Sequence, residues 1–257
     1  MSIFNFGKKK KKDPSAWNVR NMFGSGLNFA AAEAYKLLRT NLMFSFSGEQ
    51  KCRVVGVTSA IEEEGKSTVI CNLAYSIAQS GASVLLIDGD LRKPTIASKL
   101  GVDRIPGLTN LLVSREDYKK FIQQSPHAPG MDLLTAGDIP PNPSELLSSV
   151  RMQELVEQMS KDYEYILIDL PPVTVVSDTI AVSKLLDGVI LVVRGNVAQR
   201  KPVAEMLRQL NLVDIRILGF VYRDLLPTDG RYYRGYRSKY RYYRRSYRRS
   251  SGNSTST

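Results

Sequence analysis

The chain has 257 residues, 43% of them hydrophobic, which is enough for one large α/β core or two small ones. Its formal charge of +11 sits at the ends, because the lysine run 8–12 and nine basic residues after position 230 leave 22 basic side chains against 25 acidic ones in the body. A single histidine, two cysteines and short apolar runs exclude Ser-His-Asp hydrolysis, a zinc cluster, a disulfide framework and a membrane-spanning helix.

Residues 1–28 read as a flexible basic leader, and residues 29–226 as one folded domain. A helix is expected over 29–46, where Ala30, Ala34, Leu38 and Leu42 recur at helical spacing. A buried strand follows over 53–58, then a helix over 66–80 whose Ile70, Leu73, Ala74 and Ile77 share one face, ended by Gly81. Strands are expected over 83–88 and 131–135. His127 falls in the Pro-rich loop between them and reads as an exposed side chain. After Pro140, Pro141 and Pro143 a helix capped by Ser144 should run to 161. A strand over 165–169, a helix over 177–186, a strand over 189–193, a helix over 199–210 and a strand over 215–221 complete the series. Several strands are apolar throughout rather than alternating. Joined by helical crossovers, they predict a doubly wound α/β fold: a mostly parallel sheet covered on both faces, of the P-loop NTPase kind.

The last stretch, 227–257, differs from everything before it. From residue 231 on, seven tyrosines (Tyr232, Tyr233, Tyr236, Tyr240, Tyr242, Tyr243 and Tyr247) interleave with nine basic residues and no acid. With no aliphatic residue to bury, this segment reads as a disordered tail.

Chemistry concentrates at three strand ends. Ala60-Ile-Glu-Glu-Glu64-Gly65-Lys66-Ser67-Thr68 follows a strand and opens a helix, the setting of a phosphate-binding loop, with Ala60 where the first glycine of the usual pattern stands. Backbone amides at such a helix start cradle phosphates. Lys66 would reach the outer phosphates, and the Ser67 hydroxyl would bind Mg²⁺. The strand over 83–88 ends in Asp88-Gly-Asp90-Leu-Arg92, and that over 165–169 in Asp169-Leu-Pro-Pro. Ligands of doubly wound sheets bind at these carboxyl ends, so Lys66, Asp88, Asp90 and Asp169 should meet in one site. There a carboxylate holds Mg²⁺ or takes a proton from a hydroxyl. Each aspartate has a second reading, as a helix cap.

These motifs, together with Pro140-Pro-Asn-Pro-Ser-Glu-Leu-Leu147 and the Tyr-rich tail, resemble the bacterial tyrosine kinases that control capsular and exopolysaccharide synthesis. The resemblance covers residue 29 to the C-terminus. It implies ATP and Mg²⁺ as cofactors, Lys66, Asp88 and Asp90 as catalytic residues, and Ser67, Asp88 and Asp169 around the metal. It places Ala60, Glu64, Gly65, Lys66, Ser67, Thr68, Arg92 and Arg223 around the nucleotide. The seven tail tyrosines would be phosphoacceptors in trans. The first helix would mediate ring-like self-association through Glu33, Lys36 and Arg39, with Lys36 where the family has Arg. The implied partner is the cytoplasmic tail of a separate membrane-spanning modulator, and the implied location is the cytoplasmic face of the membrane. The chain departs from the family where Glu62-Glu63-Glu64 replaces Pro-Gly-Glu, and where Arg223 stands in place of a base-contacting Asn.

Two other readings stand beside this one. A partitioning-type ATPase switch shares the fold and loop, yet carries a lysine where this chain has Ile61. Alternatively, a catalytically weak family member would use its Arg/Tyr tail as a binding module for an anionic membrane, or less readily for nucleic acid. Phosphate on all seven tyrosines would add roughly −10 to −14 to a segment that starts near +9.

Overall fold

In a computed structural model, described over residues 24–223 except Ser47, Glu49 and Asn196, a short 3-10 turn at Gly24–Gly26 leads into helix α1, Phe29–Phe44. Asn28 caps α1 by accepting from the Ala31 amide. Strand β1, Arg53–Ser59, is buried at every position and runs into helix α2, Lys66–Ala78. Strand β2, Val84–Asp88, is likewise buried throughout. Short helices α3, Ile96–Leu100, and α4, Leu108–Val113, precede strand β3, Gln123–Gln124, and strand β4, Met131–Leu134. Helices α5, Pro143–Leu147, and α6, Val150–Met159, lead to strand β5, Tyr165–Asp169. Helix α7, Asp178–Ala181, strand β6, Gly188–Arg194, helix α8, Arg200–Leu212, and strand β7, Ile217–Arg223, close the described chain.

The seven strands form one sheet in the order β3-β4-β2-β5-β1-β6-β7, parallel except for the β3–β4 pair at the edge. Successive side chains of a strand point to opposite faces, and the core splits accordingly. Val84 and Leu86 of β2 join Ile70, Leu73 and Ile77 of α2 on one face. Leu85 and Ile87 join Leu111 of α4 and Leu155 of α6 on the other. Each face is therefore dry, which is why the strands are apolar at every position. A fully buried aliphatic side chain contributes about 1.5–3 kcal/mol. β7 is an edge strand, and its Phe220 and Tyr222 stay exposed.

The helix expected over 144–161 is two helices. Ser149 takes an extended backbone and caps α6 by accepting from the Met152 amide. Ser148 and Ser149 also donate to the Glu145 and Leu146 carbonyls, so this serine pair competes with continued helix. Ser144 caps nothing, since its hydroxyl turns to Asp178. The helix expected over 177–186 shortens to α7 plus a 3-10 turn. The last strand starts two residues late, because Asp214 turns the chain at φ 53. His127 is not merely exposed: its Nε2 lies 3.0 Å from the Leu100 carbonyl. The tail tyrosines, from Tyr232 to Tyr247, and the lysine run 8–12 lie outside the described residues.

Candidate functional site

Three strand ends converge because β2, β5 and β1 are neighbours in the sheet. Asp88 and Asp169 are register partners across β2 and β5. The Gly89 amide donates to the Asp169 carbonyl at 2.9 Å, and a Cβ at position 89 would come within 2.9 Å of that same oxygen. The glycine between the two aspartates is thus what lets β2 and β5 close up at the site.

The loop from Ala60 to Gly65 is braced from within. The buried Glu64 carboxylate accepts from the Ala60 amide at 2.8 Å and from the Ile61 amide at 3.1 Å. Its other oxygen accepts from the Arg194 amide at 3.4 Å, so the carboxylate ties the loop to the end of β6. Ala60 is buried, and its amide is spent on Glu64. Glu62 reaches outward to the Lys93 ammonium at 2.8 Å. Glu63 takes a left-handed backbone at φ 62, and its carbonyl accepts from Arg194 Nη1 at 3.3 Å. Glu62 and Glu63 thus stand in the cavity lining, while the Glu64 carboxylate is turned into the protein. Gly65 begins α2 at φ 87, and a Cβ there would sit 1.4 Å from Arg223 Nη1. Arg223 accordingly covers the outer face of Gly65.

Lys66 is the centre of the charge cluster. Its Nζ lies 2.8 Å from Asp90 Oδ2 and 3.8 Å from Asp169 Oδ1. Burial alone would lower the Lys66 pKa, but Asp169 and Asp90 outweigh it and raise the pKa. Asp88 is partly the helix cap of its second reading, with Oδ2 accepting from the Thr95 and Ile96 amides at 3.1 and 3.0 Å. Its other oxygen, and both oxygens of Asp169, are buried with no hydrogen-bond partner. Such orphaned carboxylate oxygens are what a divalent cation would satisfy. No group of three His, Cys, Asp or Glu side chains among the described residues is disposed to hold a metal alone. Mg²⁺ in such a site would take the rest of its shell from water and phosphate oxygens.

Lys66, Ser67, Thr68, Asp90 and Arg92 line one cavity of about 500 Å³. The sequence reading left unassigned several residues of its surroundings. Asp178, fully buried, takes a forked pair from Arg92 at 2.8 and 3.0 Å, so Arg92 reaches the cavity from a fixed mount. Lys93, Thr95 and Lys99 line the cavity from the segment after β2. The only signal for these residues is their closeness in the chain to Asp88 and Asp90. Glu33 and Lys36 pair with each other on α1 at 2.8 Å, while Arg39 turns inward and donates to the Ser76 carbonyl of α2.

Burial and the Asp169 carboxylate push the Asp88 pKa from its usual 3.8 to about 8, and burial raises Asp169 as well. Asp88 therefore holds its proton in the fold over a range where the unfolded chain has lost it. Its contribution to stability is complete below pH 3.8 and is lost as pH rises through about 8. The thermal midpoint of metal-free protein is expected to fall between about pH 5 and pH 8. Asp88→Asn keeps an oxygen for the two amides and should flatten that slope. An equally steep slope in the variant would assign the effect to other groups.

A family described as an AAA domain matches residues 57–217. The tyrosine-protein kinase YwqD of Bacillus subtilis is 37% identical over 190 residues, 74% of this chain and 79% of that protein. The putative tyrosine-protein kinase EpsB of Ralstonia solanacearum is 37% identical over 82% of this chain, which spans only 28% of EpsB. Among solved structures, the kinase domain of the Escherichia coli tyrosine kinase ETK superimposes with a TM-score of 0.71 at 33% identity, covering 76% of this chain and 78% of that one. With a loop lysine paired to Asp90 and Asp169, and with this likeness along most of its length, the chain belongs to the bacterial tyrosine-protein kinases.

Proposed function

We propose that this protein-tyrosine kinase uses Mg-ATP and takes as its main acceptors the tail tyrosines of a neighbouring copy, within residues 227–257. The observation that carries this reading is Lys66, 2.8 Å from Asp90 and 3.8 Å from Asp169, at the start of a helix with no acidic residue in its first turn. That helix end attracts phosphate, and Lys66 adds the charge that stabilises the transferring group. Gly65, Ser67, Thr68 and Arg92 line the cavity, and Arg223 lies against Gly65. Glu64 and Ala60 act by shaping the loop.

In the transfer, the tyrosine oxygen forms a bond to the γ-phosphorus. The bond from that phosphorus to the β–γ bridging oxygen breaks, and ADP leaves with the electron pair. The phenolic proton passes to a carboxylate, Asp88 or Asp90. Ser67, Asp88 and Asp169 would hold Mg²⁺, which when bound supplies positive charge to the phosphate oxygens.

The wider setting follows from the family. A membrane-spanning modulator would supply an activating cytoplasmic tail, and copies would assemble through α1, with Glu33, Lys36 and Arg39 on it. The output would be control of polysaccharide synthesis at the inner face of the membrane, where the lysine run 8–12 suits anionic lipid. Among the described residues no helix is long and apolar enough to cross a membrane.

The test is incubation of the full chain with Mg-ATP, with and without a modulator tail peptide, followed by mass-spectrometric mapping. Phosphotyrosine is expected between Tyr232 and Tyr247. Mixing an active chain lacking the tail with an inactive one carrying it separates trans from cis transfer. ATP hydrolysis with no phosphotyrosine under any condition would favour the ATPase-switch reading.

A further inference from the structure

The cavity has one wall that phosphate chemistry does not need. Apart from Gly65, its lining is polar or charged except for a contiguous stretch after β5: Pro171, Pro172, Val175 and Val176. Single exposed valines on a protein surface require no explanation. This one is different, because its backbone is pinned from several directions. The Pro171 carbonyl accepts from both the Thr58 and Thr179 hydroxyls, at 2.7 and 2.8 Å. The Val173 amide donates to the Ser59 carbonyl at 3.0 Å, and the Thr174 hydroxyl donates to the Ala60 carbonyl. The Val175 amide donates to the Pro172 carbonyl at 3.2 Å, closing a turn. The result is a rigid apolar shelf fastened to β1 and the phosphate loop, with Val175 on it 54% exposed. Two prolines and two β-branched residues have little conformational freedom left to lose on binding.

We propose that this shelf seats the phenol ring of the acceptor tyrosine, with Val175 as the residue that selects an aromatic hydroxyl. The inference rests on the kinase reading above and adds to it the recognition of the acceptor. The shelf begins two residues after Asp169, so it adjoins the carboxylates that meet Lys66. A ring laid against it brings a hydroxyl toward those groups. A serine hydroxyl, carried on one carbon, gains nothing from an apolar wall. The other plausible occupant of such a wall is the adenine ring, and the experiment separates the two.

The full chain and its Val175→Ser, Val175→Asp and Val175→Ile variants are assayed with a synthetic peptide of tail residues 231–249 as acceptor. Affinity for a fluorescent Mg-ATP analogue is measured in parallel. Val175→Ser and Val175→Asp are expected to raise the acceptor KM about tenfold or more, the scale on which small apolar contacts discriminate substrates. Their kcat and nucleotide affinity should stay within about twofold, and Val175→Ile should behave as wild type. An unchanged acceptor KM overturns the proposal. So does a loss of nucleotide affinity equal to the rise in KM, which would give the shelf to the base. If the wild-type chain forms no phosphotyrosine, the kinase reading fails first and this inference with it.

Discussion

A chain carrying Lys66→Met is expected to form phosphotyrosine at least about 10³-fold more slowly than wild type. The magnitude follows from where the charge sits. Lys66 is the cation held between Asp90 and Asp169, and its side chain is only 12% exposed. In such a partly dry site a fixed charge aimed at the transferring phosphoryl group acts far more strongly than in water. The substitution has a second consequence. It leaves the buried carboxylates of Asp90 and Asp169 without their ammonium partner, and breaking a buried pair in this way costs about 3–5 kcal/mol unless a proton or metal replaces it. The unfolding midpoint should therefore drop most at high pH and recover on adding Mg²⁺. Lys66→Arg retains the charge while altering its shape, so it should keep stability and still lose most activity. A Lys66→Met chain that folds and keeps more than about a tenth of the initial rate would place transfer elsewhere.

Glu64→Ala is expected to lower folding stability by about 2–5 kcal/mol and to weaken nucleotide binding in the same variant. The side chain is buried and is the acceptor for the amides of Ala60 and Ile61. Truncation removes the acceptor of both donors, at up to about 1–3 kcal/mol each, with the Ala60 amide buried and the Ile61 amide part-buried. The loop they shape also carries Gly65 into its left-handed turn at the head of α2, so the phosphate cradle loosens with it. Glu64→Gln keeps a carbonyl oxygen for the amides and should cost only about 1 kcal/mol. Urea unfolding and titration with a fluorescent ATP analogue measure the two effects. If Glu64→Ala loses nucleotide affinity at full stability, the carboxylate touches the ligand and the bracing role is wrong.

Much of the site was legible before any folding was known. A glycine-lysine-serine after an apolar run marks a phosphate loop, and an aspartate closing an apolar run marks a strand end. Lys66, Asp88, Asp90 and Asp169 do meet as those local signals require. The direction of the three loop glutamates was not legible. Neighbouring identical residues carry no local signal of which one turns inward; the amides of Ala60, Ile61 and the distant Arg194 select Glu64. The break between α5 and α6 was hidden for a related reason. Apolar spacing continues across it, while Ser148 and Ser149 end the helix through hydroxyl bonds that periodicity does not report.

The residues between β2 and β4 show where local reading stops. Their short helices are fixed by burial of Ile96, Leu100, Leu108 and Leu111, and the two-residue β3 by its pairing with β4. Arg92 illustrates the same limit at the site. Its partner Asp178 lies 86 residues away, and nothing local pairs them.

By itself the sequence determined the class of fold, the phosphate loop and the family, because each depends on residue type at short spacing. Strand ends, turn glycines and helix starts are local objects with local causes. The tertiary structure alone decided which strand ends adjoin. By setting β5 between β2 and β1 it put Asp169 beside Asp88 and within reach of Lys66, and so made three separate motifs one charge cluster. It also decided that a rigid apolar shelf faces that cluster, through hydrogen bonds from residues more than a hundred positions away. Strand order and long-range pairing arise from burying both faces of the sheet at once, a global condition that no local stretch of chain encodes.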